Sequence, residues 1–265
     1  MRHGDDDAAS GSMSVLARIS SILRAFDGER RTLSVADLVE RTGLPRATVH
    51  RQVNALADEG WLMRQGTRFE LGIGLFELGQ RVPRQRDLRE VATPFMADLR
   101  QASGHTVNLA VLDGREVVYV ELLRARNAPA SLRKAKIGGR LPAHATGVGK
   151  ALLAFCEPAD IDAYLADGLD RVGPRTIRDP RVLRETLDTI RADGIAYDHE
   201  ESAVGIVCAA APIRSGRRRE VVASISVSGQ DRTISLEHMT SAVRMTALAI
   251  SRALGAAEDV ESSTE

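Results

Sequence analysis

The sequence is short of cysteine, of long apolar runs and of net charge, and each shortage removes a class of protein. Two cysteines, Cys156 and Cys208, are too few for a disulfide framework or a structural zinc site. Each reads first as a small buried hydrophobe. No apolar run reaches the roughly 18 residues that span a bilayer, so no membrane partner is expected. The N-terminus lacks the basic, then apolar, then small-residue pattern of a secretion signal and carries Asp5, Asp6 and Asp7 instead. Residues 1–13 therefore read as a disordered tail and the chain as cytoplasmic. His3, His50, His105, His144, His199 and His238 are scattered without metal-ligand spacing, so neither a metal nor another cofactor is expected. The sequence has no internal repeat and no low-complexity tract.

What is present is the composition of a globular protein, 43% hydrophobic and 27% charged over 265 residues, enough for one large domain or two ordinary ones. The zero net charge conceals an asymmetry. Residues 14–86 hold 12 arginines against 8 acidic residues, and the remainder is slightly acidic. A basic N-terminal part points to an anionic partner at that end.

The N-terminal pattern is three short helices and a hairpin. Leu16, Ile19, Leu23 and Phe26 recur at helical spacing after Ser14, and Asp27-Gly28 ends that helix. A second helix spans Leu33 to Glu40, with Ser34 as its N-cap. Thr42-Gly43-Leu44 makes a tight turn, and Pro45 opens a third helix that runs through Arg51 to about Leu56. Val49, Val53 and Leu56 form its buried stripe. The other face carries Ala47, Thr48, Arg51 and Asn54, with Arg46 at the start. Trp61 follows as a core anchor. Leu62–Arg64 and Arg68–Leu71 then form a hairpin wing that presents Arg64 and Arg68.

This is a winged helix-turn-helix over residues 14–72. Such a module inserts its recognition helix into the major groove, where Arg can pair with guanine and Asn with adenine. Wing arginines can hold phosphates. The DNA-facing set is Ser34, Arg46, Ala47, Thr48, Arg51, Asn54, Arg64 and Arg68. A winged helix that binds protein would share the pattern, and each charge taken singly is equally a solvated surface charge.

Residues 73–86 read as a linker helix, with Leu75, Leu78 and Val82 on one side. Residues 87–256 read as a second domain, followed by a disordered tail over 257–265. It opens with a helix over Asp87–Gln101, then an alternating strand through Val107, Leu109 and Val111. Asp113-Gly114 is a hairpin turn into a strand over Glu116–Leu123, and a short strand is placed near Ala130–Lys134. Helices at 151–155, 158–166 and 180–193 precede strands over 195–199, 205–213 and 220–228. A last helix covers 236–254. The fold class is α+β, an antiparallel sheet flanked by helices.

Two features of this domain suit a small anion. Thr146-Gly147-Val148-Gly149 lies at a helix start, where backbone N–H groups point outward. A nucleotide P-loop ending at Gly149-Lys150 fails, because its first glycine would fall on His144 and Ala151 stands where Ser or Thr is needed. Ser224, Ser226 and Ser228 share one face of a strand whose other face is apolar. That row of hydroxyls fits a ligand pocket or, equally, a solvent-facing side of the sheet. Asp198, if unpaired, reads as a strand-end surface charge. A catalytic thiol at Cys208 would need a base such as His144 or His199. No spacing here forms a known triad, so no enzyme is expected.

Three stretches carry a resemblance. Leu44-Pro45-Arg46-Ala47-Thr48-Val49-His50-Arg51, the segment Leu141 to Leu153, and Gly205 to Ile213 are similar to the isocitrate lyase regulator (IclR) family of bacterial transcription regulators. The resemblance spans residues 14–255. It implies a GAF-like effector domain and a homodimer or homotetramer on a palindromic double-stranded operator. It implies a small organic acid or aromatic effector, held by Gly147, Val148, Asp198, Cys208, Ser226 and Ser228, and regulation of a catabolic or metabolic operon as repressor or activator.

Overall fold

In a computed structural model the chain forms two compact units, Met1–Pro83 and Arg84–Glu265. The structure describes residues 13–26, 30–128, 132, 135–216 and 218–261. The expected tail over 1–12, the helix end at Asp27-Gly28 and, apart from residue 132, most of the strand expected near 130–134 lie outside the described residues. No helix among them is long and apolar enough to cross a membrane.

The first unit is built from α1 (Val15–Arg24), β1 (Leu33–Ser34), α2 (Val35–Thr42), α3 (Arg46–Asp58), β2 (Leu62–Gln65), β3 (Arg68–Leu71) and α4 (Ile73–Gln80). Ser14 caps α1 by accepting from Ala17 N–H at 3.1 Å. Ser34 and Asp37 make a reciprocal capping box at the start of α2. Gly43, at φ +68°, ends α2 in the left-handed region that costs other residues strain. Ile22, Leu38, Val49, Val53, Leu56, Leu62 and Phe69 close the core. Each such side chain contributes roughly 1.5–3 kcal/mol on full burial.

Several details differ from the sequence pattern. Leu33-Ser34 is not helical but a short strand, pairing antiparallel with β3 on the edge opposite β2. Pro45 sits at the N-cap of α3 rather than inside it. Trp61 is half-buried at the rim, and Phe69 takes the central place. Residues 73–86 are not one helix. α4 stops at Gln80, and Pro83, which has no N–H to continue the ladder, opens the next helix. No residue of α4 is buried; Ile73 and Phe76 stand 69% and 61% exposed.

The second unit comprises α5 (Pro83–Ser103), β4 (Thr106–Asp113), β5 (Glu116–Leu123), β6 (Arg140–Pro142), a 3-10 turn (Ala143–Ala145), α6 (Gly147–Leu153), α7 (Pro158–Ala166), α8 (Pro180–Asp193), β7 (Ala196–His199), β8 (Ile206–Ser215), β9 (Glu220–Gln230) and α9 (Leu236–Glu261). The helix α9 extends through Glu261, so residues 257–261, expected as tail, are helical. The strands form one antiparallel sheet in the order β6-β5-β4-β9-β8-β7.

The two faces of this sheet differ in chemistry. Val107, Leu109, Val207, Ala209, Ile225 and Val227 bury one face together with Leu88, Met96 and Leu99 of α5 and Val243, Ala247 and Ile250 of α9. The opposite face lies with α6, α7 and α8, through Val148, Leu152, Ile161, Leu183 and Leu187. Register then sets polar residues side by side on this second face. Thr106 pairs with Ser228, Ser228 with Cys208, and Cys208 with Asp198; one step along, Asn108 pairs with Ser226.

Candidate functional site

The first candidate surface is α3 with the wing. Arg46, Ala47, His50 and Arg51 are exposed, Thr48 is half-buried, and Val49, Gln52, Val53 and Leu56 hold the helix to the core. α3 starts at Arg46, after the three-residue turn Gly43-Leu44-Pro45. Asn54 is already engaged: its Oδ1 accepts from Arg64 of the wing and its Nδ2 lies 3.3 Å from His50 Nδ1. The Arg64 guanidinium also covers the Phe69 ring at 4.8 Å. Wing and recognition helix are thus tied through one arginine.

Two members of the expected DNA-facing set are engaged within the unit, although the Arg68 side chain stays 42% exposed. Arg68 donates to Thr32 Oγ1 at 2.9 Å, to Thr32 O at 2.9 Å and to Asp37 Oδ2 at 3.0 Å. The Ser34 hydroxyl donates to Asp37 Oδ2 at 2.8 Å and accepts from Asp37 N–H at 3.1 Å. These bonds, with the Arg68 and Arg30 charges, hold the Asp37 carboxyl below the usual range, the bonds from Ser34 contributing most. Both residues brace the wing against α2. The sequence shows the Ser34 cap but not the role of Arg68, because Arg68 and Thr32 lie 36 positions apart.

The second candidate is a cavity on the polar face of the six-stranded sheet, beneath α6. Its lining includes Asn108, Tyr119, Gly147, Val148, Asp198, Cys208, Ser226 and Ser228. All six expected effector-contacting residues therefore meet in one place. The free volume is ≈ 50 Å³, room for only a few water-sized groups at roughly 10–15 Å³ each. The serine row is not a solvent-facing side: Ser224, Ser226 and Ser228 are 0%, 1% and 6% exposed. Ser224 donates to Ala211 O at 3.1 Å and serves the sheet.

Gly147 and Val148 begin α6, capped by Thr146, whose Oγ1 accepts from Gly149 N–H at 3.0 Å. The glycines are packing requirements. A Cβ on Gly147 would fall 2.5 Å from Cys208 Sγ, and one on Gly149 2.1 Å from Ala143 O. Only glycine lets α6 sit this close to β8 and to the 3-10 turn.

Asp198, expected to accept a hydrogen bond from a ligand or to orient one, is already bonded within the protein. Its Oδ1 accepts from Glu201 N–H at 2.7 Å and its Oδ2 from Ser202 O–H at 2.6 Å. It fastens the loop after β7, from which Ser202 and Ala203 close one side of the cavity. Burial raises the Asp198 pKa to about 6; the Ser202 and Glu201 hydrogen bonds and Lys150 oppose the rise, and the Glu201 charge adds to it. Beside it, the buried Lys150 ammonium donates to Glu201 Oε1. The Thr176 hydroxyl donates to Glu201 O at 2.7 Å, so the loop is held from a second side.

Cys208 is ill suited to act as a nucleophile. Burial pushes its thiol pKa well up, and the Asp198 charge adds to this. His144 is committed elsewhere, with Nδ1 3.0 Å from the Tyr164 hydroxyl and Nε2 2.9 Å from Asp170 O. His199 stacks on Tyr197 at 5.9 Å.

The cavity also contains residues that the sequence pattern did not single out: Asn108, Tyr119 and Ser202. Asn108 shares a strand face with Thr106 and Ala110, and that alternation was legible. The apolar partners Val107, Leu109 and Val111 define the strand more strongly and draw the eye to the other face.

Comparison with known proteins bears on both candidates. The model described as bacterial transcriptional regulator IclR C-terminal matches residues 80–252, and that of the IclR helix-turn-helix domain matches residues 15–66. The HTH-type transcriptional regulator XynR of Escherichia coli (strain K12) is 31% identical over 245 residues, covering 90% of this chain and 96% of that protein. The HTH-type transcriptional repressor AllR of Klebsiella pneumoniae is 35% identical over 258 residues, covering 94% and 93%. Among solved structures, an IclR homolog from Microbacterium hydrocarbonoxydans complexed with 4-hydroxybenzoate aligns with a TM-score of 0.83 and 32% identity, over 91% of this chain and 99% of that one. The Thermotoga maritima IclR structure aligns with a TM-score of 0.72 and 28% identity, over 91% and 98%.

Proposed function

The chain belongs to the IclR family of bacterial transcriptional regulators, and from that premise we propose that its DNA affinity is set by a small carboxylate bound beneath α6. The single observation that carries this is the buried row of Asn108, Ser226, Ser228 and Cys208 lining a cavity. Polar groups cost free energy to bury without partners, and a cavity lined by them suits a polar ligand. The M. hydrocarbonoxydans homolog, which holds an aromatic carboxylate, supports the same ligand class. The small free volume favours short-chain acids over aromatic ones.

At the other end, Arg46, Ala47, Thr48 and Arg51 make the reading face of α3, and Arg64 with Asn54 joins it to the wing. Ser34 and Arg68 belong to its support. The exposed Leu16, Ile73 and Phe76 on α1 and α4 support association with a second copy through this unit. A dimer addresses two half-sites about one helical turn apart, or a multiple of that. The chain then acts in the cytoplasm, as repressor or activator of a catabolic or metabolic operon.

The test is fluorescence anisotropy with the upstream intergenic DNA, with and without short-chain and aromatic acids. The expected result is specific binding whose affinity changes with at least one acid. Specific binding that responds only to neutral compounds overturns the carboxylate, and binding indifferent to sequence overturns the operator.

A further inference from the structure

The cavity floor has an unbalanced set of hydrogen-bonding groups, centred on Asn108. Its amide Nδ2 donates to Ser226 Oγ at 3.1 Å and to Ser228 Oγ at 2.9 Å. An amide nitrogen carries two protons, so both are used. Each serine oxygen, having accepted, still holds its own proton, and among the described residues neither proton has an acceptor. The floor therefore offers two hydroxyl donors.

The other amide atom has the opposite need. Asn108 is 3% exposed, and its Oδ1 is buried with no partner among the described residues. A buried acceptor left unmade carries its full desolvation penalty. A ligand that fills this cavity well must accept from the serines and donate to Asn108 Oδ1. A ligand with its acceptor oxygens and its donor on adjacent carbons can meet both needs at once.

We infer that Asn108 is the specificity-determining residue of the effector site and that it selects a carboxylate with a hydroxyl on the adjacent carbon. This rests on the carboxylate reading above. The carboxylate accepts from Ser226 and Ser228, and the 2-hydroxyl donates to Asn108 Oδ1. A 2-oxo acid places an acceptor against an acceptor, and an unsubstituted acid leaves Oδ1 unpaired. A site built to bond a hydroxyl discriminates strongly against analogues that lack it.

The test is calorimetric titration of the full chain with lactate, pyruvate and propanoate, which differ only at C2, and with mandelate, phenylglyoxylate and phenylacetate as the aromatic counterparts. In whichever series binds, the hydroxy acid is expected to bind at least about tenfold more tightly than its two partners. Asn108→Leu should reduce that ratio below about threefold. Asn108→Asp keeps an acceptor at Oδ1 but draws both serine protons inward, and should abolish binding of every acid. If Asn108→Leu fails to fold, as judged by circular dichroism, the wild-type ratio decides alone. Acids of one series binding within threefold of one another, or a preference for the oxo acid, overturn the role of Asn108 and leave the carboxylate site standing. Failure of all six to bind overturns both.

Discussion

Replacing Gly147 by alanine should damage the effector domain through one atom, the Cys208 sulfur. The new Cβ would lie 2.5 Å from Sγ and 3.5 Å from Ala210 Cβ and Asp198 N. Non-bonded heavy atoms ordinarily rest near 3.5–4.0 Å, so the overlap with sulfur is about 1 Å and the other two contacts are ordinary. The thiol can move only toward the small cavity it lines: Cys208 is 5% exposed, on a strand paired on both sides. Either the thiol takes up cavity space or helix α6 lifts, and overpacking of this kind costs about 1–3 kcal/mol. Cys208→Ala alone should cost about 1 kcal/mol, as a lost buried atom with partial collapse. Together the two changes should nearly cancel, because the new methyl fills the space the sulfur leaves. Urea unfolding followed by far-ultraviolet circular dichroism measures the cycle. Trp61, the single tryptophan, lies in the other unit, so its fluorescence transition should not move. Costs that add to within about 0.5 kcal/mol would show the residues uncoupled and refute the steric account.

Other substitutions act on titration, on ion pairing and on DNA contact. Asp198 holds its proton to about pH 6 when folded, against an ordinary 3.8. Between those values the folded chain binds the extra proton, so stability falls as pH rises through the window, by up to about 3 kcal/mol. Asp198→Asn should flatten that part of the urea midpoint-versus-pH curve, and an unchanged slope would rule this assignment out. Lys150→Met leaves the Glu201 carboxylate buried without its partner and should cost about 3–5 kcal/mol, largely recovered in Lys150→Met with Glu201→Leu; a single variant as stable as the wild type in urea would contradict it. Arg51→Ala should cost about 1–3 kcal/mol at one operator base pair, while Arg64→Ala should lower the salt slope of binding by about one unit. Arg68→Ala should instead lower the Trp61 unfolding midpoint with the slope intact, and a reduced slope would return Arg68 to the DNA face.

What the sequence made legible was local. The stripe of Val49, Val53 and Leu56, the Ser34 cap and the Asp113-Gly114 turn are set by neighbours a few positions away, and the elements they specify are present. The engagement of Asp198 was also within reach, since its partners Glu201 and Ser202 lie only three and four positions on and Asp side chains readily bond nearby groups of the chain. The engagement of Arg68 within its unit and the environment of the serines were not, because each depends on a distant strand. Alternation assigns Ser224, Ser226 and Ser228 to a common face but does not say what covers it. The covering comes from α6, and the hydrogen bonds from Asn108, 118 and 120 positions upstream. Register makes this dependence sharp. A slip of one residue between β4 and β9 would send every side chain of one strand to the opposite face, setting Val107 or Leu109 against the serines. Apolar residues on one sheet face hold the register: Val107, Leu109, Ile225 and Val227 must meet α5 and α9. The chemistry of the cavity is thus fixed largely by apolar packing on the far side of the sheet.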